Sequence, residues 1–292
     1  MAQTETAEPR FRGLDTWDDQ SLLATLWEGQ LAAVAAVGPA LPALARAASA
    51  MVLRLREGGR LIYVGAGTSG LLAVQDGSEL PQTFGWPRDR LVLLLAGGSN
   101  LESLGAAEDR AEDARARLAA LTLDSRDVVL AVAASGTTPY TVAALEQARD
   151  QGALTVAMAN NADTPLLNVA EHSVLLVTGA EVVAGSTRMK AGTAQKAALN
   201  LLSTLVMTRL GHVFDGRMVD LDIDNDKLRR RGLAMLMDLT GANAKAAAAA
   251  LVACHDRVKP AVLVVRGLTP AAAAELLDES GGSLRAALAQ LD

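Results

Sequence analysis

Five short apolar runs limit what this chain can fold into. They are Arg60-Leu61-Ile62-Tyr63-Val64 and residues 90–96, 127–134, 153–158 and 173–177, all rich in Val, Leu, Ile and Ala. Each is too short for a core helix and is nearly continuous in apolar residues, so each reads as a strand covered on both faces. Helical patterns alternate with them, which predicts a parallel sheet with helices on both sides. Ligands of such sheets bind beyond the carboxyl ends of the strands.

Polar turns stand at those ends. The first strand runs into Gly65-Ala66-Gly67-Thr68-Ser69-Gly70 and then a helical pattern over 71–75. Gly67, Thr68 and Ser69 suit a phosphate cradle, because glycine lets backbone amides approach an anion and the hydroxyls add donors. The Gly-x-Gly-x-x-Gly spacing also matches a dinucleotide fingerprint, which needs an acidic residue about 20 residues on, at the end of the next strand. Here that strand runs into Gly97-Gly98-Ser99-Asn100, which argues against a nicotinamide cofactor. The third strand closes on Ser135, Gly136, Thr137 and Thr138, followed by Pro139 and a helix over 140–151.

The fifth strand leads to Glu181–Lys196, where charge, hydroxyls and glycines precede a helix through Leu199, Leu202, Val206 and Leu210. Gly185, Ser186 and Thr187 read as a turn and helix N-cap, with Arg188, Lys190 and Lys196 near the helix start. Free helix amides, hydroxyls and cations suit an anion. A capped helix with solvated basic residues gives the same local pattern.

The flanks are helical. Residues 18–56 read as two helices broken at Gly38-Pro39, 102–121 as a charged helix, and 240–254 as an Ala-rich helix. Asn225-Asp226-Lys227-Leu228 opens another, Ala261–Val265 reads as strand-like, and 269–291 as two short helices split at Gly281-Gly282. The expected division is 1–57 as amino-terminal tail and helices, 58–222 as the ligand-binding α/β domain, and 223–292 as a small helical subdomain.

With 50% hydrophobic but only 3% aromatic residues, the core is expected to be built from Ala, Leu and Val. A net charge of −6 weighs against nucleic acid or an anionic membrane as partner. No apolar run approaches the roughly 18 residues of a membrane span, and the start of the chain lacks a signal-peptide core, so a cytoplasmic protein is expected. Cys254 stands alone and reads as a small core residue, while His172, His212 and His255 are too scattered for a metal site.

Together these residues resemble the sugar isomerase (SIS) domain family and, within it, the N-acetylmuramic acid 6-phosphate etherases. The resemblance rests on Gly65–Gly70, Ser78-Glu79-Leu80-Pro81 with Thr83-Phe84-Gly85, and Ala107-Glu108-Asp109. It extends through Ala133–Gly136 with Thr138-Pro139-Tyr140, Glu181–Lys196 and Asn225–Leu228, with the run from Gly185 to Lys196 the most specific. It implies a three-layer αβα sandwich on a five-stranded parallel sheet. The implied activity is a cofactor-free lyase that removes D-lactate from an amino-sugar 6-phosphate by elimination and addition of water.

By position, Glu79 is similar to the family's proton donor and Glu108 to its second catalytic glutamate, with Glu112 the alternative for the latter. The resemblance places the phosphate at Ser135, Gly136, Thr137 and Thr138, and the sugar at Gly67, Thr68 and Ser69 with Ser186, Thr187 and Lys190 nearby. It implies a homodimer in which Asn225 and Lys227 help complete the site. Two positions depart from the family: Leu71 and Thr137 stand where arginine is usual. Each lost guanidinium removes an anion contact worth about 1.5–3 kcal/mol if buried. Two alternatives remain open: a non-catalytic sugar-phosphate regulator like the glucokinase regulatory protein, and a lyase or isomerase of another sugar phosphate.

Overall fold

The computed structural model describes residues 2–98 and 104–291. Ser99, Asn100 and Glu102 lie outside them. The chain forms two compact units, Met1–Ser78 with Asp89–Ser203, and Glu79–Arg88 with Thr204–Asp292.

In the first unit, Asp18 caps α1 (Asp19–Ala35) by accepting from the Ser21 amide at 3.0 Å. A 3₁₀ turn at Gly38–Ala40 separates it from α2 (Leu41–Arg56), the break expected at Gly38-Pro39. Then come β1 (Leu61–Gly65), α3 (Gly67–Phe84), β2 (Leu91–Leu95), α4 (Leu104–Ala107) and α5 (Ala111–Ala120). They are followed by β3 (Val128–Ala133), α6 (Pro139–Asp150), β4 (Leu154–Ala159), α7 (Pro165–Val169), β5 (His172–Leu175) and α8 (Lys190–Arg209).

The five strands are parallel in the order β2-β1-β3-β4-β5, with Leu61 beside both Leu91 and Val128. Every residue of β1, β3 and β4 is buried, which is why these runs carry no polar alternation. On one face Ile62, Val64, Val129 and Ala131 pack with Leu118 of α5, Leu145 of α6 and Leu166 of α7. On the other, Tyr63 donates to Asp76 of α3 at 2.7 Å, and Asp76 also accepts from Asn200 (2.6 Å) and Ser203 (3.0 Å) of α8. The result is the expected three-layer αβα sandwich, with alanines such as Ala131, Ala144 and Ala157 letting helices approach the sheet closely.

In the second unit, β6 (Val213–Phe214) and β7 (Arg217–Met218) form an antiparallel hairpin. Its turn, Asp215-Gly216, has φ of 49° and 72°, the left-handed pair that matches strand twist in two-residue hairpins. Helices α9 (Asp226–Thr240), α10 (Ala244–Ala253), α11 (Val258–Val265), α12 (Pro270–Glu279) and α13 (Leu284–Leu288) enclose Leu236, Leu251, Leu263 and Leu284. Asn225, Asn243, Thr269 and Ser283 cap four of them through their side chains.

Three expectations are corrected. Ala261–Val265 is part of helix α11, because an apolar run buried on every side looks the same as a helix or a strand. The charged helix expected over 102–121 is interrupted after α4, where the Glu108 carbonyl turns to accept from the Tyr140 amide at 2.9 Å. And Asp19–Arg56 includes an 18-residue window of mean hydropathy 1.5, 33% of it buried, so by length and composition one stretch does reach the range of a membrane span.

Candidate active site

Close packing of strand on helix creates the first turn. A Cβ on Gly65 would lie 2.6 Å from the Gly70 Cα, so α3 can start directly off β1 only with glycine at both positions. Gly67 has a φ of +52°, and the space its Cβ would occupy is taken by Oε1 of Glu108. Thr68 is half-buried and Ser69 buried in the first turn of α3.

Glu108, between α4 and α5, is thus pressed against the first turn while its carbonyl is tied to the second residue of α6. Burial, and secondarily the neighbouring Asp109, holds its carboxyl above the usual glutamate value of 4.5. Glu112, the alternative carboxylate, is on the first turn of α5 with its side chain 92% exposed, 3.8 Å from Arg115.

The second turn is held by its own hydroxyls. Ser135 Oγ accepts from the Thr137 amide at 3.1 Å and lies 3.3 Å from Thr138 Oγ1. Gly136, at φ +70°, accepts from the Leu166 amide at 3.1 Å, and a Cβ there would overlap Thr164. Thr138 precedes Pro139 at the start of α6 without bonding the helix through its side chain, and Thr137 is exposed.

The signature segment is organised by a residue whose role the sequence did not announce. Glu181 is fully buried, and its carboxylate accepts from the Lys190 amide at 2.8 Å and the Ala191 amide at 2.9 Å, capping α8. The N-cap expected at Ser186 and Thr187 is therefore replaced by a distant carboxylate, and those residues form tight turns ahead of the helix. No local spacing could reveal this, since Glu181 stands nine residues before Lys190. The Lys190 ammonium points inward to the Ala180 carbonyl at 2.8 Å, and burial lowers its pKa against the opposing pull of Glu181 and Glu8.

The Thr68 methyl lies 3.6 Å from where a Gly192 Cβ would stand, so the first turns of α3 and α8 meet. The first unit thereby gathers Gly67, Thr68, Glu108 and the α6 start, with Ser186 and Thr187 half-buried in the segment leading to α8. Glu79 stands on the exposed face of α3, in the stretch belonging to the second unit. Asn225 caps α9 there, and with Lys227, Gln82 and Arg231 it lines a cavity of about 190 Å³. The sequence reading also passed over Asp76; its signal was an acid on the buried side of α3, between Ala73 and Leu80. Among the described residues no cluster of His, Cys, Asp and Glu has the arrangement of a metal site.

A five-stranded parallel sheet with hydroxyl-rich and glycine-rich turns at its strand ends is the architecture of a SIS, or sugar isomerase, domain. The SIS domain model matches residues 101–205, and the glucokinase regulatory protein N-terminal SIS domain model matches residues 43–149. A phosphoheptose isomerase from Francisella tularensis shares the fold at a TM-score of 0.50 and 20% identity, over 66% of this chain and 100% of its own. Much nearer in sequence is the N-acetylmuramic acid 6-phosphate etherase of Deinococcus radiodurans, 46% identical over 99% of this chain and 95% of its own length. The etherase of Streptomyces coelicolor is 47% identical over 98% and 93%. The chain belongs to the N-acetylmuramic acid 6-phosphate etherase family.

Proposed function

We propose that this chain is a carbon–oxygen lyase that cleaves the D-lactyl ether of N-acetylmuramic acid 6-phosphate. The products are N-acetylglucosamine 6-phosphate and D-lactate, and the reaction serves the recycling of cell-wall amino sugars. The observation that carries the site assignment is Glu108, half-buried against Gly67 and tied to the start of α6, with its pKa raised by burial.

The elimination takes a proton from carbon 2 of the open-chain sugar and expels the lactate oxygen from carbon 3, after which water adds at carbon 3. In this reading Glu108 accepts the carbon 2 proton, since a carboxylate with a raised pKa is a stronger base than a solvated one. Glu79, on the exposed face of α3, protonates the departing oxygen, a role supported by the family resemblance. Ser135, Gly136 and Thr138 hold the phosphate at the N-terminal end of α6, where free amides favour an anion. Gly67, Thr68, Ser69, Ser186 and Thr187 hold the sugar, and Lys190 acts through the segment it pins at Ala180. Proton transfers and water complete the chemistry, so no cofactor is called for.

The test is D-lactate release by purified protein in D₂O, with Glu79→Ala and Glu108→Ala as controls. Release of unlabelled lactate together with N-acetylglucosamine 6-phosphate carrying deuterium at carbon 2, both lost in the two variants, is expected; folded protein that binds the sugar phosphate and releases no lactate overturns the assignment.

A second reading follows from Leu71 and Thr137. Leu71 is 40% exposed and Thr137 is exposed, and neither side chain carries a charge. This favours weaker holding of an anionic group, or a substrate bearing fewer of them. A cytoplasmic homodimer completes the proposal. The apolar stripe of α1, with Leu23 65%, Trp27 63%, Leu31 52% and Val34 53% exposed, supports a protein partner for that face.

A further inference from the structure

Chain termini fray unless something ties them down. Here Thr4 is fully buried, although it is polar and sits in a 3₁₀ turn of three residues, Gln3–Glu5. Asn161, itself buried at the end of β4, holds it. The Asn161 Oδ1 accepts from the Gln3 amide at 2.7 Å and the Thr4 amide at 3.4 Å, while its Nδ2 donates to Thr4 Oγ1 at 3.1 Å. The same Nδ2 donates to the carbonyl of Ala134 at 2.9 Å, the residue immediately before Ser135 of the second turn.

The other side of the arm meets the signature segment. The Thr4 carbonyl accepts from the Gly185 amide at 3.1 Å. Glu5 Oε2 lies 2.8 Å from where a Gly185 Cβ would stand, and Gly185 has a φ of +74°, so a side chain is excluded there twice over. Further along, Glu8 contributes to the field at the Lys190 ammonium. Within 185–189 the backbone bonds are short turns, from the Thr187 amide to Gly185 and from the Met189 amide to Ser186. Thr4 thus joins Asn161 to Gly185, 24 residues further along the sequence, through one side chain and one carbonyl.

We propose that the amino-terminal arm is a clasp for the sugar-phosphate site, with Thr4 and Asn161 as positioning residues that fix the signature segment relative to the second turn. This rests on the assignment of Ser186 and Thr187 to substrate binding. A clasp of this kind acts on binding rather than on the proton transfers at Glu108. Replacing Thr4 by valine keeps its shape, removes the acceptor of the Asn161 amide, and leaves a buried donor unsatisfied.

The experiment has two parts. In kinetics on full-length protein, Thr4→Val is expected to raise KM at least fivefold while kcat stays within twofold of wild type, and Thr4→Ser is expected to restore KM. In wild-type protein, amide hydrogen exchange is followed with and without N-acetylglucosamine 6-phosphate, whose binding is measured separately by calorimetry. The ligand is expected to slow exchange at 185–189 and at Gln3 and Thr4 together, a result independent of how any variant folds. A Thr4→Val KM equal to wild type, or ligand that binds and leaves the arm amides unchanged, overturns the clasp. If calorimetry detects no binding, the site assignment fails and the clasp with it.

Discussion

The chemistry at Glu108 depends on where a single carboxylate is held. Replacing it by glutamine should lower kcat by about 10²-fold or more, the usual range for losing a positioned acid or base. Because the group works ionised, activity should fall as pH drops through a pKa above 4.5, so the acid limb of kcat/KM lies higher than for a solvated glutamate. Stability runs the other way. A pKa raised in the folded state gives a contribution that is complete below the unfolded value of 4.5 and is lost as pH rises through the folded value. Glu108→Gln should therefore gain thermal stability over wild type as pH rises from 4 to 7, which melting curves across that range can check. Gly136→Ala tests the second turn: a left-handed φ with Thr164 in the way should cost about 2 kcal/mol or more in denaturation. Thr137→Arg is expected to lower KM for the sugar phosphate about tenfold if the missing guanidinium contacts an anion; an unchanged KM would favour a substrate that does not use that position. At this scale the residue types were legible in the sequence. That Gly67 is required by Glu108, and not only by a phosphate, was not, because the two are 41 residues apart.

Elements were legible where burial is uniform and local signals agree. The strands β2 and β3 fall within the apolar runs that announce them, and α9 begins after the Asn225 expected to open it. The start of α8 was read as a local cap and is instead made by Glu181 from outside the helix. Two charge-assisted bonds in a buried setting stabilise that start, so Glu181→Ala should cost about 2–3 kcal/mol in denaturant unfolding. Glu181→Gln, which keeps an acceptor and loses the charge, should cost less. The hairpin β6–β7 escaped the sequence reading because two residues a side are too few to show alternation.

At the scale of the molecule, helix α1 buries few residues, Gly29 and Ala33 among them, and leaves a large apolar stripe outward. If a second copy covers that stripe, Trp27→Glu combined with Leu31→Glu should sediment as a monomer where wild type sediments as a dimer. Equal sedimentation of the two would remove α1 from any interface. The sequence by itself determined the strand-and-helix alternation and the placing of polar turns at strand ends, since both follow from short-range patterns of burial and turn chemistry. Only the tertiary structure decided which carboxylate lies against Gly67, which one caps α8, and what holds the amino-terminal arm. Those are contacts between residues far apart in the chain, and their identity is set by how the layers pack rather than by any neighbour in sequence.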